Sequence, residues 1–290
     1  MKIYFRELKN YDIPAIREIC KDIWEGYDYV PYVIEEWLDD KDSLNYGAFI
    51  DESKKDLVAF SRVKLYNNEF AWFEGGRVKL SYQKQGIGKK LAKYGINYAH
   101  KVNAKVAQYA TSSKNLGSIS VAEHFGFKIK KSMNVLDAER KDIEINGELS
   151  LIVEKISAKE AKNRYKNFGI APEDELCMGW TYIPLKYISD EDGEWYISNS
   201  NAILQKVKFR REQIKEGPKE DEIWLIVYGI PKIAIKLIQY IIQEELKSIE
   251  SKFFEIFCHP HIAKKVEKMG FSYYEGEPFG VVLFEKILSE

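Results

Sequence analysis

Residues 71–91, AWFEGGRVKLSYQKQGIGKKL, constrain the fold most, because they read in succession as a strand, a glycine-bearing turn and the start of a helix. The strand portion, residues 71–78, is rich in aromatic and apolar side chains and holds one carboxylate, Glu74. Gln83-Lys84-Gln85-Gly86-Ile87-Gly88 then opens a helix on which Ile87, Leu91, Tyr94, Tyr98 and Val102 recur at the spacing of one buried face. Two glycines let the backbone approach a ligand closely, and the unpaired N–H groups of a first helical turn suit a pyrophosphate. By itself Q-x-x-G-x-G is short, and a glycine turn before an ordinary amphipathic helix is its plainer reading. Lys89, Lys90 and Lys93 at the helix start oppose the macrodipole, which favours an anion bound there.

At 290 residues, 45% of them hydrophobic, the chain has material for two cores, so two domains are expected. The boundary is placed near Ser157, giving residues 1–156 and 157–290. A net charge of −1 with 31% charged residues offers no basic excess for nucleic acid or an anionic membrane. No apolar run approaches the roughly 18 residues of a membrane span. The start, MKIYFRELKNYD, lacks the apolar core of a signal peptide, so a cytoplasmic protein is expected. Cys20, Cys177 and Cys258 are odd in number and far apart, which fits reduced thiols. Cys258-His259-Pro260-His261 is read as a helix start and not as a metal site, since three ligands on one tight turn are poorly arranged around one ion.

Read in order, residues 2–8 form a strand and 11–24 a helix that Gly26 ends, with Pro31 starting another helix. The connector carrying Tyr27, Asp28 and Tyr29 is aromatic for a loop; it reads equally as a loop packed on the core or as a substrate wall. Residues 46–50, 57–66 and 69–78 give an antiparallel meander with turns at residues 51–53 and 67–68. After the helix, residues 105–110 form a strand parallel to its predecessor, as a βαβ crossover requires. A short helix at 115–125, a strand at 127–135, an Asn146-Gly147 turn and a strand at 149–156 close the first half. In the second half, 158–168 reads as a helix, 176–185 and 195–209 as strands and 223–230 as an apolar strand. A helix at 232–246, a strand at 253–257, a helix at 261–269 and a pair of strands over 271–287 follow.

The second half echoes the first. VAEHFGF at 121–127 has a counterpart, KVEKMGF, at 265–271, and the order of elements before each is the same. The counterpart of the opening stretch, IWLIVYGIPKIAIKL at 223–237, has Pro231 where the glycine turn would stand, so one phosphate site per chain is expected.

These pieces together carry a resemblance. Val78-x-x-x-x-Gln83-x-x-Gly86-x-Gly88 resembles the coenzyme A signature of the GNAT acyl-CoA N-acyltransferases, with Leu80 where Pro is common; Asn115-x-x-Ser118 leading to Phe125-Gly126-Phe127 resembles their second block. GYDYVP, EEWLDD and YATSSKN further resemble a branch that includes histidine N-acetyltransferase-like proteins. The resemblance implies an α/β (α+β) GNAT fold, a mixed sheet whose fourth and fifth strands splay apart, followed by a degenerate GNAT-like copy. It implies acetyl-CoA as cofactor, held by Val78, Leu80, Gln83, Lys84, Gly86, Ile87, Gly88, Lys89, Asn115 and Ser118, with the Val78 backbone on the thioester carbonyl.

A substrate ammonium must lose a proton before it attacks, and a base near neutral pKa helps that step. Glu74 is the carboxylate on the strand beside the cleft; it reads as that base, as a ligand for the amine, or as a partner of Arg77. The family's usual acid is a Tyr where this chain has Ala122, with Ser120, His124 and Tyr109 as stand-ins or water in its place. The reading is an acetyl-CoA-dependent N-acetyltransferase acting on a primary amine, of a small molecule or amino acid, with Tyr27, Asp28 and Tyr29 at the substrate. A non-catalytic acyl-CoA sensor and a protein acetyltransferase are the alternatives, and oligomeric state is open.

Overall fold

The computed structural model describes residues 2–26, 28–67, 69–145, 151–209, 221–247 and 251–288. Contacts divide the chain into two units, one of residues 1–110, 115–130 and 284–290, the other of residues 111–114 and 131–283.

Unit 1 starts with β1 (Tyr4–Glu7), α1 (Ile13–Cys20) and α2 (Val30–Asp39). Pro14 and Pro31 stand in the first turns of the two helices, where a missing N–H costs nothing. β2 (Ser43–Phe49), β3 (Leu57–Tyr66) and β4 (Phe70–Val78) form the antiparallel meander, and β1 adds antiparallel to β2. α3 (Ile87–Lys101) then crosses to β5 (Val106–Ser112), parallel to β4, and α4 (Leu116–His124) follows. The sheet is mixed, as the sequence implies. Ile16, Ile19, Ile34 and Trp37 of the first two helices pack with Phe49 and Phe60; Ile87, Leu91 and Ala99 of α3 pack with Tyr46, Val63 and Ala71. That is the arrangement expected of a sheet buried on both faces.

Two irregularities in β4 matter for function. Opposite Phe60–Arg62 of β3, β4 runs from Arg77 to Glu74, so it carries one extra residue there. Gly75 takes φ +64 in this bulge, and a Cβ on it would lie 2.5 Å from Cζ3 of Trp37, so glycine is required for both conformation and space. On the other side, β4 and β5 pair only from Phe70–Val106 to Trp72–Gln108 and then part.

Unit 2 contains β6 from Lys131 on (strand Lys128–Glu139), β7 (Val153–Ile156), α5 (Ala158–Tyr165) and the hairpin β8 (Glu175–Cys177) with β9 (Tyr182–Pro184). β10 (Glu194–Ser198), β11 (Ala202–Phe209) and β12 (Asp221–Gly229) form a second antiparallel meander. α6 (Pro231–Leu246) leads to β13 (Ser251–Cys258), parallel to β12 over Asp221–Val227, and α7 (Pro260–Val266) follows. β6 pairs antiparallel with β13 and β7 with β10. The core joins Leu225, Val227 and Ile256 to Leu237, Ile241 and Ile262 of the two helices.

β14 (Gly280–Ile287) comes last, and its residues from Phe284 on belong to unit 1, next to β5 in the strand order. There Phe284 stacks on Tyr109 at 5.3 Å and Leu288 N–H donates to Lys105 O at 2.8 Å.

Several elements differ from the sequence reading. Residues 176–185 are a hairpin and not one strand, and 195–209 are two strands turned by Asn199 and Ser200, both at positive φ. Polar residues that tolerate left-handed backbone make a tight turn inside an otherwise strand-like run. Over 271–287 only β14 is a strand; Ser272 makes a single bridge to Asp137. β6 extends to Glu139, past the expected residue 135. The Asn146-Gly147 turn and Asn68 lie outside the described residues.

Ending the chain at Leu283 strips β5 of its neighbour and exposes Phe127 and Tyr109, which pack against each other at 5.6 Å. We expect a melting temperature lower by about 6–12 °C, from roughly 2–3 kcal/mol of lost burial at Phe284 and the loss of the strand's ladder. An unchanged thermal scan would reject this.

Candidate active site

The loop between β4 and α3 carries the residues that the sequence reading assigns to an anion cradle. Val78 ends β4, Leu80 is half-exposed in a 3-10 turn over Leu80–Tyr82, and Gln83 donates its side-chain amide to Val78 O at 3.1 Å. Lys84 and Gly86 both sit in left-handed backbone, at φ 59 and 78. Gly86 is the N-cap of α3 and supplies no side-chain cap, so the amides of Ile87, Gly88 and Lys89 open the first turn without an intrahelical partner. A Cβ on Gly86 would meet nothing within 4 Å. One on Gly88 would only just touch Val121 and Val78, both at 4.0 Å, so β4, α3 and α4 converge there. Exposed Lys84, Lys89, Lys90 and Lys93 surround this positive helix end.

Asn115 caps α4, its Oδ1 accepting from Ser118 N at 3.1 Å, and Ser118 O accepts from the Tyr109 hydroxyl at 2.9 Å. The two residues are thus tied to each other by the start of α4. Burial pushes the Tyr109 hydroxyl up to about 12, which leaves it a donor to Ser118 and a poor acid. Ala122 is buried, whereas Ser120 and His124 are exposed. A recess of about 340 Å³ lined by Gly126, Lys128, Ile129, Lys130, Glu285, Lys286 and Ile287 includes none of these groups.

On the face of β4 that meets α2, Glu74 keeps 22% of its side-chain surface and lies 3.0 Å from Arg62 Nη1. The pairing with Arg77, one of the three readings of Glu74, does not form, because the bulge turns Arg77 out of register with Glu74. Arg62 is itself almost fully buried, pairs through Nη2 with Asp40 and lies over the Trp37 ring at 4.8 Å. Burial raises the Glu74 carboxyl above its ordinary value; the Arg62 and Lys64 cations and a hydrogen bond from Trp72 pull the other way, and burial wins. A carboxylate held in this state is suited to exchange protons nearer neutrality.

Arg77 finds Asp28 instead, through Nε at 2.6 Å and Nη2 at 2.9 Å, and both groups are buried. Asp28 also accepts from Val30 N–H at 3.1 Å, so the predicted substrate residue is a closed ion pair in the wall. Trp24, half-exposed at φ 47, covers Arg77 at 4.3 Å. Tyr29 meets Trp37 edge to face at 5.9 Å and lies 5.6 Å from Arg77. Tyr27 lies outside the described residues.

The structure therefore gathers Glu74 and Tyr29 with four groups the sequence reading missed, Arg62, Asp40, Trp37 and Trp24. Arg62 had a signal: a lone arginine in the apolar run LVAFSRVKLY must find a carboxylate if that strand is central. His259, Nδ1 facing His261 N, caps α7 at Pro260.

Residues 13–127 match the family model described as the acetyltransferase (GNAT) family. No curated protein matches the sequence. Among solved structures, a GCN5-related N-acetyltransferase from Sphaerobacter thermophilus superposes with a TM-score of 0.65 at 11% identity, over 99% of this chain and 96% of that one. A GCN5-related glucosamine N-acetyltransferase region of a fungal multi-domain GH3 β-N-acetylglucosaminidase gives 0.66 at 11% identity, over 98% of this chain and 38% of that one. A GCN5-related N-acetyltransferase from Kribbella flavida gives 0.52 at 11% identity, over 99% and 71%. At these identities the likeness is one of fold, and it extends along both halves of the chain.

Gly88→Ala tests, apart from folding, whether this loop binds a coenzyme. Inside a helix, and with only ordinary contacts for the new methyl, it should raise the melting temperature by about 1–4 °C. A methyl on the cradle should weaken acetyl-CoA binding about tenfold or more. Calorimetric titration showing unaltered affinity would remove the cradle from this loop.

Proposed function

We propose that this chain, whose residues 13–127 match the acetyltransferase (GNAT) family model, uses acetyl-CoA and moves its acetyl group to the primary amine of a small molecule or amino acid by direct attack on the thioester. The observation that carries the reading is the parting of β4 from β5 beyond Trp72–Gln108, on the strand that presents Glu74 and leads into the Gly86-capped helix. The parting gives a pantetheine arm a place to lie between the strands. The amides from Gln83 to Lys89 take the pyrophosphate, Asn115 and Ser118 flank the arm, and the Val78 backbone meets the thioester carbonyl.

Glu74 takes the proton from the acceptor ammonium. The free amine attacks the carbonyl carbon, the carbon–sulfur bond breaks, and the nitrogen sheds its second proton as the amide forms. Thiolate leaves readily, a thiol pKa being only about 8.5, so solvent supplies its proton where Ala122 replaces a hydroxyl side chain. Transfer through an enzyme thiol is disfavoured, since Cys20, Cys177 and Cys258 are all buried.

Unit 2 is, in this reading, a degenerate copy without a coenzyme. Its crossover begins at Pro231 with Ile230 as N-cap, and β13 stays paired with β12 through Val227–Cys258, which leaves no gap for an arm.

Thiol release with acetyl-CoA and a panel of amines, with the product identified by mass, tests the reading. Turnover should depend on a small amine, and Glu74→Gln should lower kcat/KM about 10²–10⁴-fold while acetyl-CoA affinity holds. Tight coenzyme binding with no turnover on any small amine, or transfer confined to protein lysines or N-termini, would overturn it.

A further inference from the structure

Arg62 is shared by two carboxylates. It faces Glu74 directly across the β3–β4 ladder, gives Nη1 to Glu74 Oε1 at 3.0 Å and gives Nη2 to Asp40, one nitrogen to each. The guanidinium lies over the Trp37 ring at 4.8 Å, and the same ring fills the space at Gly75, so one indole touches both the arginine and the bulge. A fork placed bidentate on one carboxylate would hold it more strongly than this divided arrangement does.

We propose that Asp40 and Arg62 are positioning residues for the acceptor step: Arg62 fixes the Glu74 carboxylate, and Asp40, by claiming half of the guanidinium, leaves Glu74 basic enough to accept the acceptor's proton. The proposal rests on the reading that Glu74 faces the acceptor amine.

Asp40 is suited to the part. It is the C-cap of α2; burial works against its charge, but the Asp42 N–H at 3.0 Å and the Lys64 and Arg62 cations outweigh that and hold its carboxyl below the ordinary value. Asp40 therefore stays anionic while Glu74 gains and loses a proton, and Arg62 is not left as an uncompensated buried charge when Glu74 is neutral. The other groups around Glu74 are Lys64 on β3, 3.4 Å from Asp40, Trp72 on β4 and Tyr29 before α2; the Arg77–Asp28 pair beside Tyr29 is self-neutralising.

The sign follows from the charges. Glu74 must be ionised to accept a proton, so kcat/KM rises with pH through its pKa. Removing the negative charge of Asp40 favours ionised Glu74 and gives it the whole guanidinium, which lowers that pKa and carries the rise to lower pH.

The experiment is the pH dependence of kcat/KM at saturating acetyl-CoA for the unaltered protein and for Asp40→Asn, Lys64→Met and Glu74→Gln, with melting temperature and acetyl-CoA affinity measured alongside. Asp40→Asn should move the acid limb down by about one pH unit and lower the plateau, at unchanged coenzyme affinity. Lys64→Met, which removes a cation, should move the limb up by less. An unmoved limb in Asp40→Asn, with activity lost only as stability is lost, would make Asp40 a fold brace and overturn the proposal. A Glu74→Gln variant that keeps the unaltered limb would instead sink the underlying reading of Glu74, whatever Asp40→Asn does.

Discussion

The bulge at Gly75, held by the indole of Trp37, is the constraint on which the site depends. β4 has to pair with β3 along its length, yet must also leave β5 after three pairs and deliver its end to the start of α3. An extra residue increases local twist and re-aims the side chains beyond it. Here that puts Glu74 opposite Arg62, sends Arg77 to Asp28 and lets Val78 reach the Gln83 side chain. Only glycine fits, because φ is positive and the ring lies where a Cβ would go. Trp37 in turn is fixed through its carbonyl, which accepts from the Asn45 side chain at 2.6 Å. A helix and two strands thus converge on one residue without a side chain.

Much of the fold was legible beforehand because its signals are local. The apolar phase of Ile87, Leu91 and Val102, the prolines that open α1 and α2, and the Gly86 turn each depend on neighbours within a few residues. The glycine turn and helix start could be read from residues 83–88 alone for the same reason. What escaped was set by partners far along the chain. Glu74 could be seen as a buried carboxylate, but its partner was decided by a one-residue slip in register, which no periodicity in AWFEGGRV announces. Asp40 and Trp37 stand in EEWLDD with no local sign of what they would meet. Asp28 read equally as part of a loop packed on the core or of a substrate wall, and its commitment to Arg77 follows from β4 reaching across to the segment after α1. The Asn199-Ser200 turn does have a local signal, the unbroken polar run Ser198-Asn199-Ser200-Asn201 between two apolar stretches, which the reading of one strand over 195–209 passes over.

The two units show how one arrangement of strands serves two ends. Both run an antiparallel meander into a parallel crossover. In one, glycine in left-handed backbone starts the crossover helix and the parallel strands part; in the other, proline starts it and they stay joined. Proline fixes φ and lacks an N–H, so the second helix offers its first turn one donor fewer. Continuous pairing there satisfies backbone groups that the parting in unit 1 leaves open. The opening between β4 and β5 is a stretch of unmade ladder beyond Trp72 and Gln108.

The placement of residues 284–287 beside β5 has a consequence for biosynthesis. A chain made from its N-terminus usually folds its first domain while the rest is still being translated. Here the strand next to β5 leaves the ribosome only after the whole of unit 2, so the unit that carries Glu74 and the Gly86 turn waits, with β5 as a raw sheet edge, for a period of roughly 10–30 s at bacterial or eukaryotic elongation rates. An unpaired edge is the part of a sheet most prone to capture by another chain. Lys105, exposed just before β5, is held by Glu69 at 2.6 Å, so the entry to that edge is capped by an ion pair during the interval.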